Sequence, residues 1–364
     1  MVFKGPYILL KCLISLARAF FLTIYIQILF RAVPKRTFSR AWGWLMKKRI
    51  PIPLRRFVYC TWTVLFGCKV EEMAFPLETY ESLSQFFLRP LRDGVRMFSQ
   101  YGMPCPADSA VVSCGPFSKE TLPAVKKLTY NLYKFLGEDA PTSEDTATIP
   151  NPLYDKVNSF LRSSEEIDDD EKVTAIESTF LQNHDGSTNL FYIVLYLAPG
   201  DYHKFHSPVD FTITSRTHFS GDLYPVNKVF MGKKTGLLAV NERVVMKGSY
   251  DQGFMSLTAV GAFNVGSVFL EHEDLQTNKV GQKRKNVDVK VYDEPITYHK
   301  GDLMGGFNLG STVVLVFEAP RDFVFCVEAG EKVSLGQILG LSVTQAVGEV
   351  SEEDDDNFIS TILE

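Results

Sequence analysis

The sequence predicts a mainly β protein of the α+β class, in which many short strands follow a helical, membrane-directed N-terminal segment. Apolar, β-branched runs at 190–197 and 313–317 have the length of buried strands and are bounded by turn residues. Between 327 and 340, glycines separate further short β pieces. Residues 6–30, by contrast, are mostly apolar and long enough for a helix that spans or lies on a membrane.

The composition allows a buried core, but the charge is distributed asymmetrically. The chain has 364 residues, of which 45% are hydrophobic and 22% charged, enough for one large domain or two modest ones. The first 70 residues contain 13 Lys or Arg and no Asp or Glu, whereas the other 25 basic residues face all 43 acidic ones. This N-terminus indicates a negative partner, and an anionic membrane is favoured over nucleic acid because no recognised nucleic-acid module accompanies the charge.

Residues 1–31 form a predicted membrane-associating or targeting helix. Lys4, Lys11 and Arg18 are spaced seven apart, so a helix would place them on one face. That pattern is typical of a basic amphipathic helix at the membrane interface or of a mitochondrial targeting segment. A tilted membrane span is the alternative, since basic side chains can snorkel to the interface.

The rest of the chain divides into two predicted regions. Residues 32–98 are predicted to be a basic linker and helical region, with one helix over 77–88. Residues 99–364 are predicted to form the main β domain. Two acidic stretches within it, at 138–171 and 351–356, are too polar to bury much surface, so we predict an insertion and a solvated tail.

A glycine-rich turn at 305–310 leads directly into the apolar run at 313–317, and Ser311 lies at the junction. Glycine permits backbone geometry that other residues resist and leaves the Gly310 carbonyl uncrowded. A serine at this point can attack the carbonyl of its own peptide bond if a base removes its proton. Taken alone, these residues are more typical of a plain turn, with Ser311 as a turn residue.

Five motifs accompany this turn in a fixed order along the chain. They are PCPAD at 104–108, DYHKFHSP at 201–208, GDLYPVN at 221–227, NER at 241–243 and LGST at 309–312. Together they resemble the phosphatidylserine decarboxylase family, in its eukaryotic, mitochondrial form. The LGST motif is similar to the self-cleavage site of that family. The glycine spacing at 327–340 also resembles small barrel-sandwich modules of the lipoyl or biotinyl kind, but the lysine that those modules modify has no clear counterpart here.

The resemblance implies that the chain cleaves itself between Gly310 and Ser311. Asp108 would orient His206, and His206 would act as the base that deprotonates Ser311. One residue departs from the family pattern: Ser109 follows Asp108 where a glycine is usual, so Ser109 has to tolerate the backbone geometry of a glycine.

Cleavage would give a large β chain, 1–310, and a small α chain, 311–364, which stay together as a heterodimer. Residue 311 would become a covalent pyruvoyl group, which supplies an electrophilic carbonyl that no natural side chain offers. The resemblance further implies that the amine of phosphatidylserine forms a Schiff base with this group, loses CO2 and leaves as phosphatidylethanolamine. His203 is the candidate for proton transfer in that reaction.

No metal site is predicted. His203 and His206 are a possible metal-binding pair, but no third ligand accompanies them. The six cysteines are scattered without CxxC pairs, so free buried thiols are expected.

Two other functions are consistent with parts of this pattern. A pyruvoyl enzyme acting on a soluble amino acid would need no basic N-terminus, and a membrane-associated β module without activity would leave the motifs unexplained. The location predicted is the mitochondrial inner membrane, with another organelle or endomembrane as the alternative. A homodimer is an expectation from the family resemblance.

Overall fold

The computed structural model describes nine stretches of the chain. They are 35–117, 132–137, 180–224, 226, 237–262, 267–275, 277–278, 286–308 and 311–344. The predictions made for the helix at 1–31, the acidic insertion at 138–171 and the acidic tail at 351–356 lie outside the described residues.

Five helices occur in these stretches. They are α1 (Lys35–Met46), α2 (Ile52–Phe66), α3 (Leu83–Phe87), α4 (Leu132–Leu136) and α5 (Leu237–Val240). Helix α2 begins after Pro51, whose ring suits a helix start, and ends at Gly67, which adopts the left-handed conformation with φ 67°. Helices α1 and α2 both lie within 32–98, the region predicted to be a basic linker and helical region.

The prediction of a single helix over 77–88 is wrong. The chain forms a 3-10 turn at Leu77–Thr79, an extended segment, and then the short helix α3. Ser82 has extended backbone and accepts a hydrogen bond from the Gln85 amide, which is the N-cap arrangement. The helical spacing of the apolar residues was real, but a serine cap in its middle starts a new helix.

Fourteen strands in the described stretches make this part of the protein mainly β, as predicted. They are β1 (Met103–Pro104), β2 (Ser109–Pro116), β3 (Thr188–Leu197), β4 (Lys204–His206), β5 (Phe211–Phe219), β6 (Arg243–Tyr250), β7 (Gly253–Val260), β8 (Val268–Leu270), β9 (Val287–Tyr298), β10 (Leu303–Phe307), β11 (Ser311–Pro320), β12 (Phe323–Phe325), β13 (Lys332–Val333) and β14 (Ile338–Ser342). The apolar runs predicted as buried strands correspond to β3 and β11.

The strands form one large open sheet and two small ones. The eight-stranded sheet has the order β13-β2-β3-β11-β7-β6-β5-β9, and the three-stranded sheets have the orders β1-β14-β12 and β4-β10-β8. Strand β11 lies near the middle of the large sheet, antiparallel to both β3 and β7. Every residue of β11 except Pro320 is buried.

The two faces of the large sheet pack into different cores because side chains alternate along a strand. Val313 and Leu315 of β11 point into a core that also contains Phe205 of β4, Met46 of α1 and Phe87 of α3. Val314 and Val316 of β11 point into a second core on the opposite face, against α4 and α5. The helical region and the β4 layer therefore share one core with the first face of the sheet.

Helix α2 presents an apolar surface to solvent. Tyr59 and Thr63 are its buried residues, and they pack towards the core around Phe86. At 100° per residue the opposite face carries Leu54, Phe57, Thr61, Val64 and Leu65, all exposed. Within the described part of the chain, no helix is both long and apolar enough to cross a membrane.

Candidate active site

Ser311 is the first residue of β11 and is completely buried. Its hydroxyl oxygen has no hydrogen-bond partner among the described residues. By strand alternation its side chain lies on the same face as Val313, towards the layer that contains β4, whereas Thr312 points to the other face. A buried hydroxyl without a partner carries a cost of about 1–3 kcal/mol, so this arrangement calls for a chemical reason.

Two contacts bracket the turn before Ser311. The Phe307 amide donates to the His203 carbonyl at 2.9 Å, and Ser311 pairs with Leu197 across the β3–β11 ladder. Leu309 and Gly310 themselves lie outside the described residues. Because both flanks are paired with the segment 197–203, that segment runs beside the predicted cleavage site.

His203 is fully buried between α3 and the turn after β3. Its Nδ1 lies 2.8 Å from the Asp201 carbonyl oxygen. A carbonyl can only accept, so Nδ1 carries the proton and Nε2 has a free lone pair. Nε2 is buried and has no hydrogen-bond partner in the described part of the chain. The Phe87 ring meets the imidazole edge-on, with 5.1 Å between the ring centroids. Burial lowers the pKa of His203 to about 4, so the ring is neutral at pH 7.

His206 lies at the end of β4 and is half-buried. Its Nδ1 donates to the Gly301 carbonyl at 2.8 Å. The Tyr202 hydroxyl, 3.1 Å from Nε2, donates to the remaining lone pair. Burial is the main reason that the pKa of His206 lies below its ordinary value. The ring is therefore neutral, oriented by a backbone carbonyl and capped by a tyrosine.

Asp108 lies next to this strand but makes its hydrogen bonds elsewhere. The Arg96 guanidinium holds both carboxylate oxygens, at 3.0 and 2.6 Å, and the Leu335 amide donates to the first at 2.7 Å. The nearest backbone link to the histidine runs from the His206 amide to the Pro106 carbonyl at 2.9 Å. Among the described contacts no hydrogen bond joins Asp108 to His206, so the predicted orienting role stays a prediction.

Ser109 adopts ordinary backbone geometry. Among the described residues only Asn278 has a positive φ without being glycine. The Ser109 hydroxyl donates to the Ala107 carbonyl, beside the buried Cys105 thiol. The departure from the usual glycine is therefore accommodated without strain.

The prediction of buried thiols holds for Cys105, which is buried. It does not hold for Cys60, which is exposed.

Three site residues were missed by sequence reasoning. Tyr202 lay within a quoted motif, but nothing in the sequence indicated that its hydroxyl would contact His206. Arg96 and Gly301 come from distant segments and carried no signal. Arg96 also pairs with Glu72 at 2.7 Å. Burial acts to lower the pKa of Arg96, but the carboxylates of Asp108 and Glu72 raise it above the ordinary value.

Comparison with known proteins decides the family. The model of the family described as phosphatidylserine decarboxylase matches residues 83–341. The chain belongs to the phosphatidylserine decarboxylase family. A mitochondrial phosphatidylserine decarboxylase proenzyme from Rattus norvegicus is 38% identical over 320 residues, covering 86% of this chain and 73% of the relative.

Two yeast relatives carry similar names. The mitochondrial phosphatidylserine decarboxylase proenzyme 1 of Schizosaccharomyces pombe is 36% identical over 356 residues, covering 85% of this chain and 80% of the relative. Its counterpart in Saccharomyces cerevisiae is 34% identical over 369 residues, covering 86% and 73%. The family match includes the segment with both histidines and Ser311.

Proposed function

We propose that this chain is a self-processing, pyruvoyl-dependent enzyme that converts phosphatidylserine to phosphatidylethanolamine and CO2. Decarboxylation of phosphatidylserine is the activity of the family to which the chain belongs. One observation supports self-processing. The hydroxyl of Ser311, the first residue of β11, is buried without a partner among the described residues, and it lies beside the segment 197–206 that contains both histidines. The side-chain oxygen leaves when a serine is converted to a pyruvoyl group, so the finished site needs no hydrogen-bond partner for that oxygen. The surroundings of the Ser311 hydroxyl fit this outcome.

Self-cleavage starts from Ser311. His206 takes the hydroxyl proton at Nε2, once the Tyr202 hydroxyl gives up that position, and the Ser311 oxygen attacks the Gly310 carbonyl carbon. The C–N bond breaks, the nitrogen gains a proton, and an ester joins the two chains. Loss of the Cα proton of residue 311 expels Gly310 as a carboxylate, and water then displaces ammonia from the product.

In decarboxylation the pyruvoyl group would supply an electrophilic carbonyl that accepts the electrons released with CO2. His203 supplies the proton chemistry. Its neutral Nε2 lone pair can take a proton from the substrate ammonium, and the same nitrogen can return it to the α-carbon after CO2 leaves. The number of protons on the protein is then unchanged after each turnover.

Helix α2 accounts for access to a lipid substrate. Its outward face is apolar, and its sequence contains Arg55 and Arg56 but no acidic residue. Apolar side chains flanked by basic ones fit the interface of an anionic bilayer. A soluble amino acid as substrate would leave this surface without a role.

The location follows from the family. The relatives' names place those proteins in mitochondria, and we assign this chain to the same organelle. Within it, the basic N-terminus and the apolar face of α2 favour the inner membrane, which is rich in anionic lipid. Homodimer formation remains an expectation.

The deciding experiment is the intact mass of the purified chain beside the Ser311→Ala variant. The wild type is expected as two fragments divided between residues 310 and 311, the smaller with a pyruvoyl N-terminus, and the variant as one chain. Serine-labelled phosphatidylserine in vesicles then tests the substrate by release of labelled CO2. A single wild-type chain that nevertheless releases CO2 would overturn the self-processing mechanism.

A further inference from the structure

Arg89 is a buried arginine that follows α3, and its guanidinium contacts carbonyl oxygens instead of carboxylates. It is 3% exposed. Nη2 donates to the Gly200 carbonyl at 2.8 Å and to the Asp201 carbonyl at 3.2 Å, and Nη1 to the Phe86 carbonyl at 3.4 Å. No ion pair within the described part of the chain includes it. A buried cation without a carboxylate partner is costly, and besides these carbonyls its guanidinium carbon lies 5.1 Å from the centre of the Phe86 ring. The arrangement points to a local task.

The task is visible at the Asp201 carbonyl. That oxygen accepts from Arg89 Nη2 and also from His203 Nδ1, at 2.8 Å. One oxygen thus receives two donors, one from the arginine and one from the imidazole. The position of the arginine fixes the position of the carbonyl, and the carbonyl fixes both the tautomer and the orientation of His203.

The turn that carries this carbonyl is held from other directions as well. The Asp201 carboxylate accepts from the Ala198 amide at 2.7 Å and closes the turn. Gly200 has no room for a Cβ because the Phe66 carbonyl at the end of α2 lies against it. The turn therefore cannot move away from Arg89 without disturbing α2.

We propose that Arg89 is the positioning residue of His203: it holds the Asp201 carbonyl so that Nδ1 stays protonated and the Nε2 lone pair points into the site. This inference rests on the proposed role of His203 in decarboxylation. It gives Arg89 no part in self-cleavage, where His206 is oriented by the Gly301 carbonyl.

The charge of Arg89 acts in the same direction. Burial is the largest cause of the low pKa of His203, and the positive charge of Arg89 lowers it further. The Asp108 carboxylate and the hydrogen bond to the Asp201 carbonyl oppose it. Without Arg89, the pKa of His203 would rise, and the lone pair would be lost at a higher pH than in the wild type.

The test compares three variants with the wild type. Arg89→Gln removes both the positive charge and the planar set of guanidinium donors, whereas Arg89→Lys keeps only the charge. Arg243→Gln is the matched control, since Arg243 is also 3% exposed and donates to the carbonyls of Phe135, Ala239 and Asn241, not to those of Gly200 and Asp201. Each variant is assayed for self-cleavage by mass, and for kcat and KM with phosphatidylserine vesicles over a pH series.

Arg89→Gln is expected to cleave itself but to lose about 100-fold in kcat, with KM little changed and the acid limb of the pH profile moved to higher pH. Arg89→Lys should keep the wild-type acid limb and recover part of kcat. Arg243→Gln should keep the wild-type acid limb and the wild-type kcat per cleaved molecule. NMR of histidine-labelled protein, with His203 assigned through His203→Gln, should report a raised pKa in Arg89→Gln only.

Three outcomes would overturn the proposal. The first is wild-type kcat in Arg89→Gln. The second is a reduced kcat with an unmoved pH profile and an unmoved His203 resonance. The third is loss of self-cleavage in both Arg89 variants while the control cleaves, because Arg89 would then not act selectively on His203. A wild type that releases no CO2 would instead refute the proposed function, and the NMR comparison would still decide the positioning role.

Discussion

The segment with both histidines, 201–206, and helix α2 depart from the usual distribution of polar and apolar groups in different ways. The first buries polar atoms, and the second exposes apolar side chains. Around β4, His203 and Ser311 are fully buried, and each has a polar atom without a hydrogen-bond partner among the described residues. On α2, Phe57 is 73% exposed and Val64 83%, with no described residue covering them. Both arrangements cost free energy in the isolated chain, through desolvation in one case and through apolar surface left in water in the other.

The difference between the two regions shows how one protein can combine proton transfer in a buried site with binding to a lipid surface. Unpaired polar atoms in a dry interior keep lone pairs available for protons, and an exposed apolar face is stabilised only when it meets another apolar phase. The two regions meet at one point, where the end of α2 lies against Gly200, three residues before His203. The predictions below separate the contributions of the two regions.

The largest effect is expected at His206. Replacing it by Ala removes the proposed base, so self-cleavage should slow by at least about 1,000-fold. Gel analysis of the two fragments over time measures this. His299→Ala, at an exposed histidine that is 77% accessible, is the control and should cleave normally. Normal cleavage of His206→Ala would remove His206 from the mechanism.

His203 should separate the two reactions. His203→Gln keeps a side chain of similar size without a titratable nitrogen, so it should cleave itself while decarboxylation falls by about 100- to 1,000-fold. The measurement is CO2 release per cleaved molecule. If cleavage and decarboxylation fall together, the division of labour between the histidines is wrong.

Asp108 should matter for stability as well as cleavage. Asp108→Asn breaks a largely buried pair with Arg96, at a cost of about 3 kcal/mol in the free energy of unfolding. Glu81→Gln breaks the exposed pair with Arg49 and should leave the free energy of unfolding almost unchanged, because solvent screens that pair. Urea unfolding of the uncleavable Ser311→Ala background compares them. Equal costs would contradict the burial argument.

The buried, neutral state of His203 predicts a pH dependence of stability. Its pKa is about 4 in the folded chain, mainly through burial, and about 6.5 when unfolded, so the unfolded state binds more protons between these values. The free energy of unfolding should therefore fall as the pH is lowered from 6.5 to 4, by about 3 kcal/mol from this residue. Unfolding of His203→Gln over the same series should lack this part of the slope, and identical slopes would contradict it.

The smallest effect is expected on α2. Val64→Glu combined with Leu65→Glu should weaken binding to anionic vesicles by about 10- to 100-fold while leaving self-cleavage intact, because both side chains are exposed. Val289→Glu, at an exposed valine of the edge strand β9, is the matched control. Vesicle sedimentation measures the binding, and equal behaviour of the two variants would exclude α2 as the docking surface.

Sequence reasoning was most accurate where one physical cause acts locally. The strands β3 and β11 were predicted from continuous apolar runs. It was wrong at 77–88, where the helical spacing predicted one helix and the Ser82 cap starts a new, shorter helix. Propensity and capping compete within a few residues, and spacing alone cannot decide between them.

The sequence by itself determined the mainly β class, the family and the set of polar residues available for chemistry, since these follow from composition, periodicity and motif order. Only the tertiary structure decided what each of those residues contacts. Tyr202 caps His206, Arg96 takes the carboxylate of Asp108, and Arg89 and His203 share one carbonyl. Such pairings depend on how strands far apart in the chain pack, because a hydrogen bond needs atoms within about 3 Å and sequence distance does not set that separation.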